Sequence, residues 1–86
     1  MHWLGDAKLK RYVWRAAKAS PNTGSWPITA MTWHLLRVDG LVQSCQAYPT
    51  QEDVQVALYG LIHDRRVEKY CDRPTGGIRY RLRTYR

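Results

Sequence analysis

At 86 residues the chain amounts to one domain. A domain this small buries only about 60% of the surface its unfolded chain exposes, which leaves little interior for a deep catalytic cleft. Fourteen Lys and Arg against seven Asp and Glu give a net charge of +7 and an isoelectric point near 9.9, while 44% apolar residues argue against a disordered chain. No apolar run approaches the roughly 18 residues that a membrane span needs. The start, MHWLGDAKLKRY, turns charged too early for a secretory signal. The expectation is a small soluble basic protein of the cytoplasm, nucleoid-associated, with nucleic acid as the polyanionic partner.

Cys45 and Cys71 decide little. A zinc site needs ligands in close pairs, and His2, His34, Cys45, His63 and Cys71 contain none, so neither a metal nor another cofactor is expected. A single disulfide would suit a secreted chain; without a signal, two reduced, half-buried thiols are the expectation. The charge is uneven. Residues 1–20 hold five cations and one acid, residues 21–60 hold Arg37 against three acids, and residues 61–86 hold eight cations against three acids.

The first helix is predicted over about 3–19. At 100° per residue, Lys8, Arg11, Arg15 and Lys18 share one face, Leu9, Tyr12, Val13, Ala16 and Ala17 occupy much of the rest, and Trp14 sits at a border. The basic stripe reads equally as a solvated face. Ser20-Pro21-Asn22-Thr23-Gly24 stops the helix. Ser25-Trp26-Pro27-Ile28 is predicted as a short extended piece, with Pro27 at an edge. Thr29 or Thr32 is expected to cap a second helix over about 30–38, closed by Asp39-Gly40 with Gly40 left-handed. The stretch from Leu41 to Tyr48 has no clear pattern.

The third helix, about 51–64, has the strongest signals. Thr50 and Asp53 have the spacing of a capping box, and Glu52 and Asp53 suit the positive end of the helix dipole. Val54, Ala57, Leu58, Leu61 and Ile62 line one face; Glu52, Val56, Tyr59 and His63 lie opposite, with Gln51 and Gln55 at the edge. A hairpin is predicted over about 67–83. Pairing Cys71 with Ile78, Lys69 with Tyr80 and Val67 with Leu82 puts Val67, Cys71, Ile78, Tyr80 and Leu82 on one side. It sets Glu68 opposite Arg81, and Tyr70 opposite Arg79, on the other.

This order of elements, and above all the segment TQEDVQVALYGLIHDRRVEKYCDRPTGGIRYRLR from Thr50 to Arg83, resembles the winged helix-turn-helix domains of small bacterial, archaeal and phage transcription regulators. The matching features are Leu61-Ile62 at the helix end, the basic turn Asp64-Arg65-Arg66, Val67 opening the strand, and the loop Arg73-Pro74-Thr75-Gly76-Gly77 before Ile78-Arg79-Tyr80. The resemblance implies an α+β fold, a three-helix core with a C-terminal two-stranded wing. It implies that the third helix enters a major groove of double-stranded DNA while the wing reaches a minor groove or phosphates. Gln51, Gln55, Val56, Tyr59 and His63 would then face the groove, Arg65 and Arg66 would serve phosphates, and Arg73, Thr75 and Arg79 would act from the wing. Gln55 and Tyr59, four residues apart, are also similar to the amide and Tyr of the winged helices that bind Z-form nucleic acid.

The groove face of the third helix carries no Lys or Arg of its own, and Tyr59 reads equally as a core tyrosine. Two function classes therefore stand. One is a DNA-binding regulator or a phage or plasmid architectural factor, with a homodimer through the first helix as one arrangement. The other is a protein-interaction module on the same scaffold, using the 51–64 face or exposed residues among Trp3, Trp14, Trp26 and Trp33. No enzyme is expected, since paired apolar carboxylates, nucleophile elbow, phosphate loop and metalloprotease motif are all missing. No pocket for a small-molecule effector is readable.

Overall fold

The computed structural model describes residues 5–42, 48–74 and 76–83. Three helices, α1 (Asp6–Ala19), α2 (Ser25–Val38) and α3 (Gln51–His63), precede an antiparallel hairpin of β1 (Val67–Asp72) and β2 (Gly77–Leu82). The fold is α+β, with the layout of a winged helix. Helix α1 buries Leu9, Tyr12, Val13, Ala16 and Ala17 and leaves Lys8, Arg11, Arg15 and Lys18 exposed, as its periodicity requires. Trp3, at the expected start of this helix, lies outside the described residues, as do Cys45 and Thr75.

The second helix starts earlier than expected. Ser25 to Ile28 is helical rather than extended, with Gly24 as N-cap and Pro27 in the first turn. Proline is tolerated there because the first N–H groups of a helix have no intrahelical acceptor; the first N–H to reach back is that of Ile28, to the Gly24 carbonyl. Thr29 and Thr32 cap nothing. Both are fully buried inside the helix, where their hydroxyls donate to the carbonyls of Ser25 and Ile28 at 2.8 Å. The extended contact falls instead at Thr23, which bridges antiparallel to Tyr80. Gly40 closes α2 in the left-handed region at φ 72°.

Helix α3 opens on the expected capping box. The Asp53 N–H donates to the Thr50 hydroxyl at 3.1 Å, and the Thr50 N–H donates to the Asp53 carboxylate at 3.0 Å. The hairpin has the expected register throughout, from Val67 opposite Leu82 to Cys71 opposite Ile78, and continues to Asp72 opposite Gly77. Its apolar side is only half used. Val67 and Tyr80 are buried and Leu82 packs against the core, whereas Ile78 is 49% exposed and Cys71 is an exposed free thiol, not a half-buried one. The reason is length. At about 3.3 Å per residue, Cys71 and Ile78 lie roughly 13 Å beyond Val67 and Leu82, past the end of the helical core.

The core joins Leu9, Val13 and Ala17 of α1, Ile28 of α2, Val54, Leu58 and Leu61 of α3, and Val67 and Tyr80 of the hairpin. A second cluster, Tyr12, Leu36, Val42 and Tyr48, seals the far end of α2. The Tyr12 hydroxyl donates to Asp39 there, which with Arg15 holds the Asp39 carboxyl below its ordinary range. Leu61 is 1% exposed, and its truncation to Ala is expected to cost about 2–5 kcal/mol in urea unfolding. An unchanged midpoint would mean that this face of α3 is not inside.

Candidate functional site

The outward face of α3 presents Gln51, Glu52, Val56, Tyr59 and His63 to solvent, with Gln55 half-buried. Its N-terminal half is tied to the start of α2. The side-chain amides of Gln51 and Gln55 both donate to the Ser25 hydroxyl, at 2.8 and 3.4 Å. Tyr59 is 53% exposed and so is not a core tyrosine. Its ring instead receives the ammonium of Lys69, which stands 5.4 Å from the ring centroid. Helix α3 has no cation on this face, and Lys69 brings one from the adjacent strand. Sequence reasoning passed over Lys69. The available signal was its parity, since it shares a strand face with Val67 and Cys71 and sits opposite Tyr80.

Gln51, Gln55 and Tyr59 thus gather with Ser25 and Lys69 on the side of α3 that looks toward the hairpin and α2. Val56 is on the other flank, in a shallow groove shared with Asp6, Leu9 and Lys10 of α1. The groove is close-fitting: a Cβ at Gly60 would stand 3.1 Å from the Lys10 side chain. His63 is exposed at the last residue of α3.

On the hairpin, Arg73 is exposed in the loop. Arg79 is not free to swing. Its guanidinium donates to the Asp72 carboxylate at 3.0 Å and to the Asn22 carbonyl at 2.9 Å, binding the loop before α2 to the wing. Beside it, the Tyr70 hydroxyl donates to the Asn22 side chain at 2.9 Å, and Arg81 pairs with Glu68 while stacking 4.5 Å over the Tyr70 ring. The outer face of the hairpin is therefore a largely compensated lattice.

Arg65 and Arg66 part company at the turn after α3. Arg65 is exposed and left-handed at φ 61°, while Arg66 stands over the ring of Trp14 on α1, at 5.8 Å. Asp64 at this turn accepts from Lys10 at 2.6 Å, which fastens α1 to the end of α3. Among the tryptophans, Trp26 is 53% exposed and meets half-buried Trp33 edge to face at 5.4 Å. The Trp33 indole N–H donates to the Pro49 carbonyl, so this exposed aromatic pair is braced against the entry to α3.

The hydrogen bond from Lys10, with smaller help from the charges of Lys10, His63 and Arg66, holds the Asp64 carboxyl below its ordinary value of 3.8. A depressed carboxyl contributes stability above its unfolded value and loses that contribution as pH falls through the folded one. In urea unfolding between about pH 5 and pH 2, Asp64→Asn is therefore expected to flatten the acid decline in stability. An equally steep decline in the variant would remove this pair from the acid response.

No protein-family model, no curated protein and no solved structure matches this chain.

Proposed function

We propose that this protein binds double-stranded DNA as a small winged-helix regulator or architectural factor, with α3 in the major groove and the hairpin loop against a neighbouring minor groove or phosphates. The observation that carries the reading is the chemistry of the outer face of α3: exposed Gln51, Val56 and Tyr59 and half-buried Gln55 lie beside a hairpin that brings Lys69 and Arg73, and the two side-chain amides are held only by the Ser25 hydroxyl. These are the chemical types that read base edges, a side-chain amide meeting adenine and methyls meeting thymine. The net charge of +7 supplies the sequence-independent attraction. Nothing in the reading requires a catalytic step.

Roles divide by what each side chain has free. Gln55 holds Ser25 only at 3.4 Å, so exchanging that bond for a base edge sacrifices little. Arg73 is the wing cation available for a phosphate, whereas Arg79 serves by holding the hairpin in place through Asp72 and Asn22. A second reading is favoured by one observation, the exposed Trp26 braced by Trp33, since tryptophan is enriched at protein contacts. It assigns the same scaffold to a protein partner.

A cognate site selected from a random duplex pool separates these readings. Gln55→Ala is expected to cost about 1–3 kcal/mol on that site, much less on random duplex, with little change in salt dependence. Arg73→Ala is expected to weaken both duplexes alike and to lower the magnitude of the salt slope by about 0.9 in anisotropy titrations. No enriched sequence would end the base-reading assignment. No binding to any duplex at about 50 mM salt would end the DNA reading and leave the Trp26 surface as the functional one.

A further inference from the structure

Three cations that close no ion pair gather at one place among the described residues. Among the described residues, Lys10, Arg15, Arg79 and Arg81 are each bound to an acid. Arg11, Lys18 and Arg66 are not, and they surround Trp14. Lys18 stands 5.5 Å and Arg66 5.8 Å from the Trp14 ring centroid, and Arg11 lines the same cleft as Trp14 and Arg66. Like charges held close raise one another's energy, and stacking on an indole offsets part of that cost through the ring's negative face. The cations are thereby held in position with their polar edges available.

The cleft lies between α1 and the turn from α3 into β1. It measures about 470 Å³ and has Ala7, Trp14 and Leu61 as its apolar lining. That size falls within the roughly 300–1,000 Å³ range of small-molecule sites. Asp64 is also in its wall, held in place by the Lys10 ammonium at 2.6 Å. The wall thus combines the cations Lys10, Arg11 and Arg66 with one carboxylate held by Lys10.

We propose that this cleft binds a phosphorylated small molecule of nucleotide or sugar-phosphate size. Arg11 and Arg66 take the phosphate oxygens, for which the planar guanidinium fork is suited. Asp64 accepts from a hydroxyl or amino group of the ligand and repels a second phosphate. The site therefore selects a molecule with one anionic end and one hydrogen-bond-donating end over an inorganic polyphosphate. The inference is independent of whether α3 engages DNA.

Calorimetric titration of the full chain at low salt, with adenosine monophosphate, ribose 5-phosphate, adenosine and pyrophosphate as probes, tests it. The two phosphomonoesters are expected to bind, adenosine not to bind, and pyrophosphate to bind more weakly than either ester. Arg11→Ala and Arg66→Ala are each expected to weaken ester binding about tenfold, the size of one lost charge-assisted hydrogen bond, with thermal melts unchanged. Asp64→Asn is expected to erase the preference over pyrophosphate. Absence of both heat and any shift of the Trp14 indole resonance at millimolar ester overturns the proposal, as does ester binding indifferent to both arginine changes. If only duplex DNA binds and the arginine variants weaken it, the small-ligand assignment is overturned and the cleft is a backbone-phosphate contact.

Discussion

A two-stranded hairpin is marginally stable by itself in water, and here Tyr80 supplies much of what it lacks. Its side chain is 4% exposed within the cluster formed by the three helices, and burial raises its phenol pKa. Its backbone is held on both edges. It lies opposite Lys69 on one side, while on the other its N–H donates to the Thr23 carbonyl at 2.8 Å and its carbonyl accepts from Asn22 at 3.0 Å. One residue thus anchors β2 to the loop before α2 and to the hydrophobic core together. The placement of the wing beside α3, and with it the pairing of Lys69 with Tyr59, depends on that anchorage.

The second organising constraint is electrostatic. A small chain with twice as many cations as acids cannot neutralise itself, and the acids it has serve as clasps. Asp64 fastens α1 to the end of α3, Asp39 fastens α1 to the end of α2, and Asp72 and Glu68 brace the hairpin. Such exposed pairs are individually weak, and they act beside the apolar contacts that already join these elements. Among the cations that close no ion pair are Arg11, Lys18 and Arg66 around Trp14, and Lys69 and Arg73. The binding surfaces proposed for this protein include such cations.

Much of the architecture was legible in local pattern. The 3.6-residue period of Leu9, Val13, Ala16 and Ala17, the Thr50 and Asp53 box, and the strict alternation from Ile78 to Arg83 are consequences of backbone geometry, and each element forms where its pattern says. The outward face of α3 follows from the same period, so Gln51, Val56, Tyr59 and His63 are exposed together. The segment around Pro27 was misread because proline reports only a missing N–H and a fixed φ. Both conditions are met in a strand edge and in a first helical turn alike. Thr29 and Thr32 misled for a related reason. A hydroxyl can cap a helix or satisfy itself on the carbonyl four residues back, and burial decides between the two.

By itself, then, the chain's pattern determined its class, its third helix, its hairpin register and its excess of positive charge, all properties of composition or of local periodicity. Tertiary structure alone decided the rest. It made Lys69 a partner of Tyr59, turned Arg66 away from the α3 face toward Trp14, and engaged Arg79 with Asn22, 57 positions away in the chain. It left Cys71 and Ile78 without a core beneath them. The physical reason is that charge pairing, stacking and burial act through space over a few ångströms. No periodicity along the chain encodes which distant side chains the packed helices will bring within that reach.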